Sequence, residues 1–147
     1  MDLTVRFVKL NSQAKIPVYS SAAAAGADLC SLPGDDITIL PGETVMIHTG
    51  LAMEIPEGCA AFIFARSGLA SKRGLAPANK VGVVDSDYRG EVMVALHNHS
   101  AIAQTIENGE RIAQLVIAPY VVADFVLSDE LDDTERGAGG FGSTGKK

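Results

Sequence analysis

Apolar and polar residues alternate along short stretches of this chain, which is the pattern of β-strands with one buried face. The first example is Leu3, Val5 and Phe7, which alternate with Thr4 and Arg6. Further apolar runs cover residues 37–40, 44–48, 51–55, 60–64, 81–84, 91–97 and 112–118. Turn signals separate them at Pro33-Gly34-Asp35, Pro41-Gly42-Glu43, Pro56-Glu57-Gly58 and Glu107-Asn108-Gly109-Glu110. The pattern therefore predicts an all-β domain built as a sandwich, a barrel or a jelly roll.

One segment departs from the β pattern. Ser67–Arg73 predicts a helix of barely two turns that directly follows a strand. Ser67 and Gly68 would then stand at the start of the helix, where free backbone N–H groups attract anions. Arg66 beside them fits a phosphate-binding site, and the alternative is a surface arginine that caps a turn.

The apolar pattern fades from Asp124 onward, which predicts that the C-terminal end of the chain lies outside the core. Residues 136–145 contain five glycines together with Arg136, Phe141, Ser143 and Thr144. Glycine-rich backbone is costly to order, yet its exposed N–H groups can surround phosphate oxygens. A disordered, solubilising tail is the alternative, but such a tail has no use for the ring of Phe141.

Size and charge narrow the possible function classes. The chain has 147 residues, which is one domain, and a formal net charge of −6, which argues against a nucleic-acid binder. No apolar run reaches the roughly 18 residues of a membrane span. The N-terminus lacks the basic and apolar regions of a secretion signal. Cys30 and Cys59 are therefore expected to be reduced thiols in the cytoplasm, or in the nucleus if the source is eukaryotic.

The segment 79–91 places two apolar half-strands on either side of a polar tip, as in a hairpin. Asp85 follows Val83 and Val84, so we expect its carboxylate to be desolvated and suited to act as a general base. The alternative is an aspartate that only shapes the turn. Tyr88, three residues on, is suited to form a flat wall against a sugar.

Two other strands carry polar residues that are candidates for a site. Asp28 follows a glycine at the start of a predicted strand, where it is either a site acid or a turn aspartate. Arg111 and Gln114 differ in parity, so on a regular strand their side chains face opposite ways. We therefore expect Arg111 to face a site and Gln114 to bond to water or to backbone elsewhere.

Few side chains offer the spacing of a metal site. His97 and His99 could share one face of a strand, but His48, Cys30 and Cys59 add no matching ligand. We expect no metal ion held directly by the protein.

Taken together, five segments of the chain resemble the motifs of the trimeric dUTP diphosphatases (dUTPases), in the same order and with similar spacing. They read Ala25-Gly26-Ala27-Asp28-Leu29, Arg66-Ser67-Gly68-Leu69-Ala70, Gly82-Val83-Val84-Asp85-Ser86-Asp87-Tyr88-Arg89-Gly90, Gly109-Glu110-Arg111-Ile112-Ala113-Gln114 and Arg136-Gly137-Ala138-Gly139-Gly140-Phe141-Gly142-Ser143-Thr144-Gly145. Each segment is a weak signal alone, but the ordered set across residues 16–145 identifies the chain as a member of this family.

The resemblance implies an all-β fold, a distorted jelly roll or β-clip-like barrel with one short helix and a flexible glycine-rich tail. Residues 1–131 would form the core, and residues 132–147 would form an arm that closes over a neighbouring subunit's site. It also implies a homotrimer in which one subunit supplies the first, second and fourth motifs, another the hairpin, and a third the tail. The partner molecules would be dUTP and two copies of the same chain, with neither nucleic acid nor membrane.

The resemblance further implies the reaction and the role of each residue. The enzyme would hydrolyse dUTP to dUMP and pyrophosphate, with Asp85 positioning water for in-line attack on the α-phosphorus. This keeps uracil out of DNA and supplies dUMP for thymidylate synthesis. The residues expected to bind substrate are Arg66, Ser67, Gly68, Asn79, Gly82, Val84, Asp85, Tyr88, Gln114, Arg136, Phe141, Gly142, Ser143 and Thr144. Asp28 and Arg111 would support the site from within.

The implied cofactor is Mg²⁺, held by the triphosphate and water rather than by side chains. Two other functions are weighed against this one. A dCTP deaminase shares the fold, but its catalytic glutamate pattern does not match the segment around Asp85. A non-catalytic β-trimer that binds dUTP would have no need of a water-activating base.

Overall fold

The computed structural model of this protein describes residues 3–140 and shows an almost entirely β architecture. The elements are β1 Arg6–Lys9, β2 Val18–Tyr19, β3 Ala27–Cys30, β4 Ile37–Ile39, β5 Thr44–Glu54, β6 Cys59–Phe64, α1 Ser67–Arg73, β7 Leu75–Pro77, β8 Val81–Val84, β9 Glu91–Asn98, β10 Gln104–Ile106 and β11 Arg111–Pro119. The all-β prediction is confirmed, and the predicted helix has the observed bounds. None of the helices described is long and apolar enough to cross a membrane.

Two antiparallel sheets carry most of the strands. One sheet has the order β1-β5-β9-β7, and the other has the order β2-β3-β11-β6-β8. Strands β10 and β4 form a separate two-stranded ladder. The sheets remain separate over residues 3–140, so this part of the chain forms an open, two-sheet arrangement and not a closed barrel.

The core lies between the two sheets because each contributes its apolar face. Strand β9 shows the alternation clearly: Val92, Val94 and Leu96 are buried, while the residues between them are more exposed. Leu29 of β3 and Ile112 of β11 meet this layer from the other sheet. Burying one such aliphatic side chain contributes about 1.5–3 kcal/mol, so the alternating positions hold the two sheets together.

Strand β5 is continuous where the apolar pattern predicted two separate runs. It passes through Gly50, which has a φ of 69°. The pairing of β5 with β9 is irregular between His48 and Ala52. A residue with a side chain rarely adopts this backbone conformation, so glycine lets the strand absorb an irregularity without ending.

After β11 ends at Pro119, no strand or helix is found in residues 120–140. Several large apolar side chains of this stretch are almost fully exposed, including Val121 at 91%, Phe125 at 99% and Leu127 at 97%. These three side chains therefore have little packing against residues 3–140.

Candidate active site

Polar residues from three distant parts of the sequence meet at one end of the five-stranded sheet. We call Asp28, Arg66, Ser67, Arg111 and Gln114, together with Gly26 and Gly68, the arginine cluster. Its members line one open cavity of about 330 Å³. Strand pairing brings these residues together, because β11 lies between β3 and β6, and helix α1 follows β6 in the chain.

A single carboxylate organises the two arginines of the cluster. Asp28 Oδ1 lies 2.9 Å from Nε of Arg66, and Asp28 Oδ2 lies 3.0 Å from a terminal nitrogen of Arg111. Arg66 also donates to the backbone carbonyl of Arg111 at 3.0 Å. Because one negative charge is shared by two positive charges, the cluster retains a net positive charge within a partly buried site.

The structure corrects the expected orientation of Gln114. Arg111 lies opposite Cys30, whereas Gln114 lies opposite Asp28, and a register shift separates Arg111 from Ala113. This bulge adds one residue and restores equal parity, so Arg111 and Gln114 line the same cavity. The prediction that they face opposite ways was therefore wrong, because it assumed a regular strand.

Gln114 fits tightly against the backbone of neighbouring strands. Its Nε2 donates to the carbonyl of Ala65 at 2.8 Å. A Cβ added to Gly26 would lie 2.7 Å from Gln114 Oε1, closer than real contacts allow. Glycine at position 26 is thus required for the side chain of Gln114 to lie in this cavity.

The helix start adds backbone donors to the same cavity. Arg66 is the N-cap residue in an extended conformation, and its side chain makes no capping hydrogen bond. Ser67 and Gly68 are exposed at the first turn, while Leu69 is buried and anchors the helix. Free N–H groups of this turn and the nearby guanidinium of Arg66 form a surface suited to phosphate oxygens.

A second group of residues surrounds the turn that connects β8 of the five-stranded sheet to β9 of the four-stranded sheet. The hairpin predicted for this segment is wrong, because β8 pairs with β6, and β9 pairs with β5 and β7. We call the cavity at this turn the hairpin pocket, after the predicted hairpin. It has a volume of about 270 Å³ and is lined by Met46, Ile63, Asn79, Gly82, Val83, Val84, Asp85, Tyr88, Glu91, Val92 and Met93. Of the predicted substrate-binding residues, it brings together Asn79, Gly82, Val84, Asp85 and Tyr88.

Hydrogen bonds fix both the backbone and the side chain of Tyr88. Its backbone N–H donates to the carbonyl of Asp85 at 3.2 Å, which closes the turn. Its hydroxyl donates to the backbone carbonyl of Glu91 at 3.0 Å. A Cβ at Gly90 would lie 2.3 Å from that hydroxyl, so only glycine at position 90 lets the ring lie in this place.

Asn79 stands at the entrance of β8, next to a strained turn. Lys80 has a φ of 67°, which is rare for a residue with a side chain and costs on the order of 1 kcal/mol. The N–H of Val81 donates to the carbonyl of Asn79 at 2.8 Å across this turn. A Cβ at Gly82 would lie 3.4 Å from Nδ2 of Asn79, so the amide lies close over the strand.

The surroundings of Asp85 differ from the prediction. We expected desolvation from the neighbouring valines, but Asp85 is exposed in the single chain. It lies at the rim shared by the hairpin pocket and a polar groove lined by Glu57 and Asp87. The valines do not cover it because the strand ends at Val84 and Asp85 begins the turn.

One residue of the hairpin pocket was not found from the sequence. Glu91 accepts a hydrogen bond from the Gly50 N–H at 2.8 Å, and its other oxygen lies 2.8 Å from Nδ1 of His48. Burial by itself would raise the pKa of Glu91, but the hydrogen bonds from His48 and Gly50 hold this pKa below its usual range. No sequence signal points to this contact, because the partners lie 41 and 43 residues away.

The arginine cluster and the hairpin pocket do not meet within one chain. Strand β6 pairs with β8 from Phe64–Val81 to Ala61–Val84. Arg66 lies beyond the first end of this ladder, and Asp85 lies beyond the other. The four paired residues of each strand span three residue steps, which is about 10 Å, so Asp85 and Arg66 are separated by more than that length.

The C-terminal residues join neither group in the described structure. Arg136 is exposed, and its Nε donates to the carbonyl of Gly139 at 2.8 Å. Four other predicted site residues, Phe141, Gly142, Ser143 and Thr144, lie outside the described residues.

Residues 3–140 also contain potential metal ligands and the thiol of Cys30. In this range no group of three or more His, Cys, Asp or Glu side chains is arranged to hold a metal ion. Burial raises the pKa of Cys30, which favours the neutral thiol over the nucleophilic thiolate.

Comparison with known sequences gives consistent matches. A family model described as dUTPase matches residues 12–145. A Desulfitobacterium hafniense protein named deoxyuridine 5'-triphosphate nucleotidohydrolase is 51% identical over 146 residues, covering 99% of this chain and 97% of that protein. A Nautilia profundicola protein of the same name is 54% identical over 144 residues, covering 98% of this chain and 100% of that protein.

Solved structures share the fold. The dUTPase of Staphylococcus bacteriophage 80alpha with dUPNHPP matches with a TM-score of 0.87 and 29% identity, over 97% of this chain and 98% of that chain. A mutant dUTPase from phage phi11 of S. aureus, described with a structural Mg(II) ion, matches with a TM-score of 0.79 and 25% identity. That match covers 88% of this chain and 99% of the phage chain. The predicted jelly-roll-like fold class is confirmed by these neighbours.

Proposed function

This chain belongs to the dUTPase family, and from that premise we propose that it hydrolyses dUTP to dUMP and pyrophosphate. The observation that carries the proposal is the hairpin pocket, which holds Asn79, Tyr88 and Asp85 in one cavity. An amide, an aromatic ring and a carboxylate are the groups needed for a base edge, a sugar and an attacking water, respectively. The products would limit uracil in DNA and supply dUMP for thymidylate synthesis.

The reaction assigns one chemical step to Asp85. Its carboxylate accepts a proton from a water molecule as that water attacks the α-phosphorus in line with the leaving group. The bond between the α-phosphorus and the bridging oxygen breaks, and pyrophosphate leaves with that oxygen. Since Asp85 is exposed in the single chain, its desolvation is assigned to bound substrate and neighbouring subunits.

The hairpin pocket supplies selectivity for the nucleoside. Asn79 and the backbone near Gly82 and Val84 read the uracil edge, and the close approach of the strand excludes a methyl group on the base. The ring of Tyr88 packs under deoxyribose and leaves no room for a 2′-hydroxyl. This role is supported by the two hydrogen bonds that hold Tyr88 in place.

The arginine cluster binds the triphosphate. Arg66, Ser67 and Gly68 hold the α- and β-phosphates through a guanidinium and backbone N–H groups. Gln114 helps to order the phosphates and water. Asp28 and Arg111 act as supports, because Asp28 fixes both arginines by its two oxygens.

Activity is proposed to depend on Mg²⁺, which neutralises phosphate charge when it is bound. Residues 3–140 offer no cluster of three or more ligand side chains, so the fitting ligands are oxygens of the triphosphate and water. The protein contributes by fixing the triphosphate with Arg66 and the helix start.

We assign the active form to a homotrimer in the cytoplasm, with each site shared between subunits. Two observations support this assembly. Asp85 and Arg66 lie at opposite ends of a ladder about 10 Å long, so a second chain must bring one to the other. Residues 120–131 expose apolar side chains such as Phe125, which a neighbouring subunit would cover.

The arm 132–147 completes the site from a third subunit. Phe141 stacks on uracil with Gly142 beside it, while Arg136, Ser143 and Thr144 close over the γ-phosphate. Closure excludes bulk water and strengthens the charge contacts inside the site.

The experiment that tests the function compares four nucleotides. The protein is incubated with dUTP, dTTP, dCTP or UTP in the presence of Mg²⁺, and monophosphate, pyrophosphate and ammonia are measured. Pyrophosphate from dUTP alone is expected, because the pocket selects both base and sugar. Binding of dUTP without turnover would instead indicate a non-catalytic binder, and ammonia from dCTP would indicate a deaminase.

A further inference from the structure

The contact between Glu91 and the irregular part of β5 extends to the sugar wall of the hairpin pocket. We propose that Glu91 is a positioning residue for Tyr88 and thereby sets the discrimination between deoxyribose and ribose. This inference rests on the proposed function, because it assigns selectivity to the ring of Tyr88.

The first step of the argument is the contact that Glu91 makes with β5. Between His48 and Ala52 the register of β5 with β9 shifts, and Gly50 in this irregular part has a φ of 69°. The Glu91 carboxylate accepts the Gly50 N–H at 2.8 Å. A side-chain oxygen thus binds a backbone donor where the ladder is irregular and ties the start of β9 to β5.

The second step is that each carboxylate oxygen already has a partner within the protein. One oxygen accepts from Gly50, and the other lies 2.8 Å from Nδ1 of His48. Glu91 is also only partly exposed, with 22% of its side chain accessible. Its contribution to the pocket is therefore made through the position of its backbone.

The third step connects that backbone to Tyr88. The carbonyl of Glu91 accepts the hydroxyl hydrogen bond of Tyr88 at 3.0 Å. One residue later, the Val92 carbonyl accepts a hydrogen bond from the buried Thr49 hydroxyl at 2.6 Å. The Glu91 carbonyl, which accepts from the Tyr88 hydroxyl, is thus restrained by two contacts. One is made by the Glu91 side chain, and the other is made by Thr49 with the next residue.

Loss of the Glu91 side chain would release the start of β9 and the carbonyl that holds Tyr88. A ring that can tilt leaves space for a 2′-hydroxyl, so UTP becomes a better substrate while the base at Asp85 stays in place. The property that changes is the ratio of kcat/KM for dUTP to kcat/KM for UTP. A residue needed only for stability would lower both values together.

The test measures this ratio for the wild type, Glu91→Ala, Tyr88→Phe and the double variant, each as the full chain with Mg²⁺. We expect Glu91→Ala to lower the ratio roughly tenfold, the effect of about one hydrogen bond. Tyr88→Phe should lower it similarly, and the double variant should fall no further, because both changes break one chain of contacts. An unchanged ratio in Glu91→Ala, or multiplied effects in the double variant, would overturn the proposal.

Two further variants sharpen the result. Glu91→Gln keeps an oxygen for the Gly50 N–H and should retain most of the selectivity. Glu43→Ala is the matched control, because Glu43 also accepts a backbone N–H, that of Leu40, but lies outside the hairpin pocket. It should leave the ratio at the wild-type value, and a comparable fall there would show that the readout reports general destabilisation.

Failure of this inference and failure of the proposed function are distinguishable. If the wild type does not hydrolyse dUTP, or does not discriminate against UTP, the proposed function fails. If the wild type discriminates and Glu91→Ala discriminates equally, only the role of Glu91 fails. Should Glu91→Ala not fold, His48→Ala removes one of the two partners of the carboxylate, and an unchanged ratio in that variant also overturns the proposal.

Discussion

Asp28 illustrates how a single carboxylate can prepare a site for an anion. Alone, two neighbouring guanidinium groups would repel each other and adopt many rotamers. Asp28 gives each arginine one oxygen, at 2.9 and 3.0 Å, and so fixes both positions. Because only one of the two positive charges is compensated, the cluster remains attractive to a triphosphate.

A substitution of Asp85 can separate its proposed role as a general base from the binding of dUTP. In Asp85→Asn the amide cannot accept the proton from water at neutral pH, while its shape is retained. We expect dUTP to bind with little change and kcat to fall roughly 10²–10⁴-fold, the usual contribution of a general base. Single-turnover kinetics and equilibrium binding measure the two effects separately.

The control for this substitution is Glu57→Gln, which removes the same charge from the polar groove beside Asp85. Glu57 does not line the hairpin pocket, so turnover should stay near the wild-type value. Turnover of Asp85→Asn within a few-fold of the wild type would show that another group activates water.

At the scale of elements, the sequence is informative where strands are regular and fails where they are not. Short apolar runs locate β8 with its observed bounds and β9 within one residue. Strands β2, β7 and β10 have only two or three residues each, which is too short for an alternating pattern to be recognised. The bulge in β11 is also hidden, because an extra residue near Ile112 depends on pairing with β3.

Some residues of the candidate site can be found from local sequence motifs, and others depend on how the strands pair. Local motifs indicate Arg66, Asp85 and Tyr88, since each motif lies within a few consecutive residues. The partnership of Glu91 with Gly50 cannot be inferred in this way, because it follows from the register of two strands. The exposure of Asp85 likewise depends on where β8 ends in the folded chain, and the two valines that precede it in the sequence do not determine it.

The close packing of β3 against β11 leads to a prediction for Gly26→Ala. The added Cβ would lie 2.7 Å from Gln114 Oε1, so the amide must move and lose its hydrogen bond to Ala65. We expect stability to fall by about 1 kcal/mol and kcat/KM for dUTP to decrease. Urea unfolding at matched protein concentration measures the first change, since the proposed assembly would make stability depend on concentration.

Gly34→Ala provides the comparison, because a Cβ there meets no atom within 4 Å. It should be nearly neutral. Combining Gly26→Ala with Gln114→Ala removes the contacts with the amide group and leaves only the Cβ of residue 114, at 3.2 Å. The double variant should therefore come close to Gln114→Ala alone. A double variant that loses activity well beyond Gln114→Ala would place the cause of the defect elsewhere in the strand.

At the scale of the whole molecule, the separation of Asp85 from Arg66 predicts that defective subunits can repair each other. In the proposed homotrimer, Asp85→Asn and Arg66→Ala should each be nearly inactive when assembled alone. In a shared site, one chain supplies residue 85 and another supplies residue 66. Random co-assembly of equal amounts therefore makes about a quarter of the sites intact, since each of the two positions is correct half of the time.

The measurement is dUTP turnover after the two variants are unfolded, mixed and refolded together, with the trimer confirmed by light scattering. Recovery near a quarter of the wild-type activity is expected. The same treatment of either variant alone gives the baseline. If both groups acted within one chain, each site would keep one defect in every mixture, and turnover would remain at that baseline. The outcome thus decides whether a neighbouring subunit bridges the separation of Asp85 from Arg66, which exceeds the roughly 10 Å length of the β6–β8 ladder.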